Sequence, residues 1–75
     1  MTETDQKAAI SISVNGQMHA VGAGISIARM LEAIGLNPRK VAVERNLEVV
    51  PRSTLSEVMV SDGDRFEIVH FVGGG

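Results

Sequence analysis

Ile10, Ile12 and Val14 alternate with Ser11 and Ser13, the period-two pattern of a strand with one buried face. Asn15-Gly16 follows at once, and both residues tolerate positive φ, so the pair favours a tight hairpin. The return strand runs from Gln17 to Val21. A two-residue turn sets Val14 opposite Gln17, Ile12 opposite His19 and Ile10 opposite Val21. His19 and Val21 then join the apolar face, and Met18 and Ala20 point away. A three-residue loop inverts those faces, and the pattern alone leaves both registers open. Gly22-Ala23-Gly24 breaks the strand and Ser26 suits an N-cap. Ile27, Met30, Leu31 and Ile34 then recur at i, i+3, i+4 and i+7, one stripe of an amphipathic helix. Gly35 stands where a left-handed C′ residue is expected, Leu36 supplies the accompanying apolar group, and Asn37-Pro38 stops the helix.

Val41-Ala42-Val43 predicts a short strand, Arg45-Asn46 a turn, and Leu47 to Val50 a brief second strand ended by Pro51. Pro51 has no N–H to donate, which places that strand end at a sheet edge. Ser53 to Val58 predicts one helical turn with Leu55 and Val58 inward, and Ser61-Asp62-Gly63-Asp64 carries turn chemistry. The last strand, Arg65 to Val72, sets Phe66 and Ile68 on one face and Arg65 and Glu67 on the other. Beyond Glu67 the alternation fails, because Val69, Phe71 and Val72 are all apolar. Either this end is buried on both faces, or one face is kept apolar for a partner. The elements predict an α+β fold, one main helix packed on a mixed sheet of four to five strands. Residues 1–9 are expected to form a flexible N-terminal tail, 10–72 the folded domain, and 73–75 a flexible glycine arm.

Composition narrows the function. Seventy-five residues hold one domain, and a body of that size scarcely encloses a substrate pocket, so a carrier or partner is favoured over a self-contained enzyme. The absence of cysteine removes a disulfide framework, a thiolate zinc site and a thiol nucleophile. A net charge of −2 has the wrong sign for nucleic acid, and Phe66 and Phe71 are too few for base stacking. No apolar run is long enough to span a membrane. The acidic opening Met-Thr-Glu-Thr-Asp lacks a signal peptide's basic start, so a soluble, cytoplasmic protein is expected.

Three patterns suggest chemistry without carrying it. Gly22-Ala23-Gly24 with Glu44 imitates a dinucleotide fingerprint, but Ile27 stands where the third glycine belongs. Asp62-Gly63-Asp64 has too few oxygen ligands for a calcium loop. His19 and His70, far apart on strands and without cysteine, read as sheet residues rather than metal ligands. No metal site and no serine–histidine–aspartate arrangement is legible.

Gly73-Gly74-Gly75 is different. A frayed tail or a tag remnant would account for three glycines, but so would a reactive carboxylate on a slender arm. Glycine has no Cβ, so such an arm threads a narrow cleft and adopts backbone angles closed to other residues. Extended, Val72 to Gly75 reaches roughly 13 Å. An α-carboxylate is ionised at neutral pH and inert as an acyl donor until activated, and a partner must supply ATP and the catalytic groups for that.

The chain resembles the thiamine-biosynthesis sulfur carriers, the ThiS family of ubiquitin-like β-grasp proteins. The resemblance rests on Ile12-Ser13-Val14-Asn15-Gly16, the helix from Ser26 to Ile34, Val41-Ala42-Val43-Glu44-Arg45-Asn46, Val50-Pro51-Arg52, and Asp62-Gly63-Asp64 through Phe71-Val72-Gly73-Gly74-Gly75. It covers nearly all of residues 10 to 75, and the Val-Ala-Val-Glu-Arg-Asn run and the Gly-Gly end are its most discriminating parts. It implies a β-grasp fold and a covalent site at Gly75. An E1-like adenylating enzyme would join the Gly75 carboxylate to AMP, with ATP as that enzyme's cofactor and none bound by this chain. A persulfide sulfur from a cysteine desulfurase or related protein would displace AMP and leave a thiocarboxylate, and thiazole synthase would receive the sulfur. Gly73 and Gly74 would be the threading arm, and Val69 and Phe71 are candidates for the docking surface, with ordinary core as the competing role. Residues 53–75 carry four acidic and one basic residue, and this acidic half would steer the tail toward a basic cleft. Two other readings share the features: the small subunit of molybdopterin synthase, against which Val43-Glu44-Arg45-Asn46 argues, and a ubiquitin-like binding or conjugation module without sulfur chemistry.

Overall fold

Strands β1 (Ala9–Val14) and β2 (Gln17–Gly22) form the antiparallel hairpin in the two-residue register, with Ile12 opposite His19 and Ile10 opposite Val21. Asn15 and Gly16 take φ of 51° and 84°, the left-handed pair that matches the twist of the strands it joins. These observations come from a computed structural model, which describes residues 9–71. Of the three expected regions, residues 1–8 of the N-terminal tail, Val72 and the arm at 73–75 lie outside the described residues.

Helix α1 (Ile27–Ala33) has both ends closed by its own sequence. The Ser26 side chain accepts from the Arg29 N–H at 3.1 Å. The Ile27 and Ala28 N–H groups donate to the carbonyls of Val58 and Leu55, so the first turn leaves no orphan donor. At the other end Leu36 N–H bonds to Leu31 O and Gly35 N–H to Glu32 O, the paired bonds of a Schellman cap. Gly35 makes this possible at φ 91°, where a Cβ would be strained.

Two 3-10 turns, Pro38–Lys40 and Arg52–Thr54, flank the hairpin of β3 (Val41–Arg45) and β4 (Glu48–Val50). Strand β3 runs to Arg45, and the turn falls on Asn46-Leu47 rather than Arg45-Asn46, with φ of 52° and 74°. Leucine carries none of the usual signals for a left-handed turn, so the sequence pattern points to the turn one residue too early. The segment after β4 is a 3-10 turn that buries Leu55 and partly buries Val58. It packs beside the start of α1, where Ser26 and Met59 form an isolated bridge.

Strand β5 (Arg65–His70) ends two residues before the expected Val72. It lies in the middle of a five-stranded sheet ordered β2-β1-β5-β3-β4, parallel to β1 and antiparallel to β3. Strand β4, which precedes Pro51, is at the edge as expected. Ile12, Val14, Val21, Val41, Val43, Phe66 and Ile68 from the sheet meet Ile27, Met30 and Leu31 from the helix in one core. A mixed sheet holding a single helix in this strand order is the β-grasp arrangement.

This topology predicts a graded pattern of amide exchange. Phe66, between β1 and β3, and Ile68, between β3 and the side chain of Asn15, exchange only in global unfolding, whereas the amides of edge strand β4 exchange by local opening. Hydrogen exchange read by NMR checks it, and rapid exchange throughout β5 contradicts the central placement.

Candidate functional site

The site begins with how β5 is fixed, because β5 leads to the glycine arm. Regular pairing with β1 covers only Ser13–Arg65 and Val14–Phe66. Beyond it, Asn15 takes over. Its N–H donates to Phe66 O at 2.8 Å, its side-chain amide donates to Ile68 O at 3.0 Å, and its Oδ1 accepts from Ile68 N–H at 2.8 Å. One side chain thus imitates a further strand residue and prolongs the ladder. Along the other flank, β3 pairs from Val41–His70 to Arg45–Phe66, and Phe71 N–H donates to Lys40 O at 3.0 Å. The backbone is therefore tied up to Phe71, four residues before Gly75.

The opposite end of β5 is fixed by a buried carboxylate. Asp64, 7% exposed, accepts from Ser61 N–H at 2.8 Å and from Asn46 Nδ2 at 3.3 Å, and pairs with the Arg45 guanidinium at 3.5 Å. Asn46 Oδ1 in turn accepts from Arg65 N–H. The Arg45-Asn46 part of the discriminating motif thus locks β3 to the start of β5, a structural task. Asp62 accepts from Ser11 N–H at 2.8 Å and Gly63 takes φ 86°, so Asp62-Gly63-Asp64 is a turn tied to β1. With Asp64 buried and paired, the acidic half of the chain presents one carboxylate fewer to solvent than its sequence suggests.

Val69 and Phe71, 64% and 47% exposed, lie outside the core, so the apolar end of β5 is not buried on both faces. Val69 pairs with Ala42 on the face of the sheet away from α1, and Glu67 with Glu44 beside it. Val49, opposite Glu44 on β4, adds another exposed apolar group to the same face. Phe71 has a partner that local sequence reading misses: the Arg52 guanidinium carbon stands 4.8 Å from the ring centroid. The two residues are nineteen positions apart, and only the Val50-Pro51-Arg52 and Phe71-Val72 segments of the motif pattern hinted that both matter. Val72, Gly73, Gly74 and Gly75, the expected arm and covalent site, lie outside the described residues.

The decoys resolve as local structure. Gly22 ends β2 and Gly24 takes φ 82° in the turn before α1. His19 is on β2 and His70 on β5, two strands separated by β1. Among the described residues, no group of three or more His, Cys, Asp or Glu side chains gathers as a metal site. No helix there is long and apolar enough to cross a membrane.

A five-stranded mixed sheet around one helix, with a glycine run following its central strand, defines a ubiquitin-like β-grasp domain. The ThiS family model matches residues 12–75, and the chain belongs to that family. It is 46% identical over 66 residues to a thiazole synthase of Paramagnetospirillum magneticum, an alignment covering 88% of this chain and 20% of the relative. It is 44% identical over 50 residues to the sulfur carrier protein ThiS of Bacillus subtilis, covering 67% of this chain and 76% of that one. The chain spans only a fifth of the length of the thiazole synthases it matches. Among solved structures, the thiamine biosynthesis protein ThiS of Geobacter metallireducens superposes with a TM-score of 0.73 at 32% identity, over 88% of this chain and 100% of that one.

Proposed function

We propose that this chain is a sulfur carrier of thiamine biosynthesis whose Gly75 carboxylate is adenylated and converted to a thiocarboxylate. The observation that carries the proposal is a family match that runs through the fold and the glycine run to residue 75. A carboxylate oxygen of Gly75 attacks the α-phosphate of ATP on an E1-like enzyme, and pyrophosphate leaves. The terminal sulfur of a protein persulfide, supplied by a cysteine desulfurase or related protein, then attacks the acyl carbon and expels AMP. A thiol cleaves the resulting S–S bond, leaving the thiocarboxylate on Gly75 and a disulfide on the donor. Thiazole synthase is the proposed sulfur acceptor, and the similarity of this chain to a fifth of such proteins supports that partner. ATP belongs to the adenylating enzyme, and this chain supplies the arm, Gly73 and Gly74, and the surface that delivers it.

Val69 and Phe71 are the proposed docking residues, exposed apolar groups just before the arm. Apolar side chains that a partner covers on docking contribute through the area they remove from water. Carrier-dependent ATP–pyrophosphate exchange by the adenylating enzyme tests the proposal. The wild-type chain supports exchange, and Val69→Asp raises the concentration needed for half-maximal exchange about tenfold or more. Its fold is unchanged, because Val69 is outside the core. Absence of exchange with a competent enzyme contradicts the function, and an unaltered Val69→Asp titration removes Val69 from the docking surface.

A further inference from the structure

We propose that Arg52 is a positioning residue for the C-terminal arm, holding the Phe71 ring so that the chain leaves the sheet from a fixed point; the inference rests on the carrier reading above. The stack joins two rigid supports. Arg52 opens the 3-10 turn after Pro51, where Thr54 N–H and its hydroxyl both bond to Pro51 O. Leu55 N–H bonds to Arg52 O, and Leu55 is itself in the core. Phe71 is tied by its N–H to Lys40 O, beyond the last residue of β5. The guanidinium lies over the ring at 4.8 Å, well within the range of a cation–π contact.

Three features point to a role beyond stability. Both partners are exposed, so the stack adds nothing to the buried core. Among the described residues, Arg52 joins neither of the two ion pairs, which are Arg29–Glu32 and Arg45–Asp64. The stack also stands at the root of the arm. Phe71 forms one wall of a shallow groove of about 270 Å³ whose other lining includes Val41, Val49, Pro51 and Leu55. Without Arg52 the Phe71 ring loses the guanidinium that holds it beside that groove, and the residue from which the chain leaves the sheet is held by its backbone bond to Lys40 alone. A reacting carboxylate at the end of such an arm is presented in the right geometry less often.

The test is a double-mutant cycle read by kcat/KM for the carrier in ATP–pyrophosphate exchange, with NMR as a readout independent of the reaction. Arg52→Ala lowers kcat/KM about fivefold, the order expected for one cation–π contact. Arg52→Lys restores part of the loss, because it keeps the charge but not the planar stacking group. In a Phe71→Leu background, Arg52→Ala has no further effect, since the partner through which it acts is gone. The Arg52 δ-methylene protons show an upfield ring-current shift that Phe71→Leu abolishes, and Arg52→Ala lowers the melting temperature by no more than about 4–8 °C, the small cost of one exposed contact. A full Arg52→Ala effect in the Phe71→Leu background overturns the proposal in favour of direct contact with the enzyme. An unchanged kcat/KM, or the absence of a ring-current shift, also overturns it. If the wild-type chain supports no exchange at all, the carrier reading falls, and the ring-current shift alone then decides whether the stack exists.

Discussion

Replacing Leu31 by alanine lowers the unfolding free energy by about 2–5 kcal/mol, the usual loss for a fully buried leucine. Leu31 has no exposed surface and sits on the helix stripe with Ile27 and Met30, facing Phe66, Ile68 and the β3 valines across one small core. The helix cap survives the substitution, because its bond uses the Leu31 carbonyl rather than the side chain. The loss is therefore one of packing alone. A chain of this length has about 4–11 kcal/mol of stability in all, so the variant is largely unfolded if the true value is near the lower end. Urea unfolding of the two proteins measures the difference. A change below about 1 kcal/mol contradicts the core position of Leu31.

Adding one residue after Gly75, or deleting Gly75, abolishes adenylation while leaving stability nearly unchanged. The two effects separate because chemistry and fold use different parts of the chain. The buried apolar residues of the described structure run from Ile12 to Ile68, and the sheet ends at His70. Nothing in that core is altered by a change at Gly75. The reaction, in contrast, needs a carboxylate at one position relative to a bound α-phosphate, and a displacement of a single residue, about 3.3–3.6 Å, removes it from reach. Melting curves and carrier-dependent pyrophosphate exchange on the same preparations check both halves. Full exchange by the extended chain contradicts the assignment of Gly75.

Local chemistry made much of this fold legible. Asn15-Gly16 specified its turn because both residues accept positive φ, and the register of β1 and β2 followed. Ser26, the Ile27–Ile34 stripe and Gly35 marked a helix whose caps form as that spacing implies. The β3–β4 turn was displaced because Leu47 occupies a left-handed position without the side chain that advertises one. Long-range bonds were invisible for a different reason. Asn15 meets Ile68 across 53 positions and Arg45 meets Asp64 across 19, and no periodicity encodes such a meeting.

The site divides in the same way. Gly75 rests on the sequence alone, because a glycine run suits a carboxylate carried on a slender arm, and it lies outside the described residues. Val69 and Phe71 were marked by a broken alternation, but only the pairing of Val69 with Ala42 and its exposure exclude burial as the reason for that break. Arg52 was legible as part of a motif and silent as to its partner, because its stack on Phe71 depends on how β4 and β5 flank β3.

Intact-mass spectrometry of the chain after incubation with the E1-like enzyme, ATP and a persulfide donor tests the central claim most directly. The mass rises by the difference between sulfur and oxygen, fragmentation assigns the gain to Gly75, and the gain disappears in the chain extended by one residue. A mass that never changes with competent partners, or an equal gain in the extended chain, contradicts a sulfur carrier acting through Gly75.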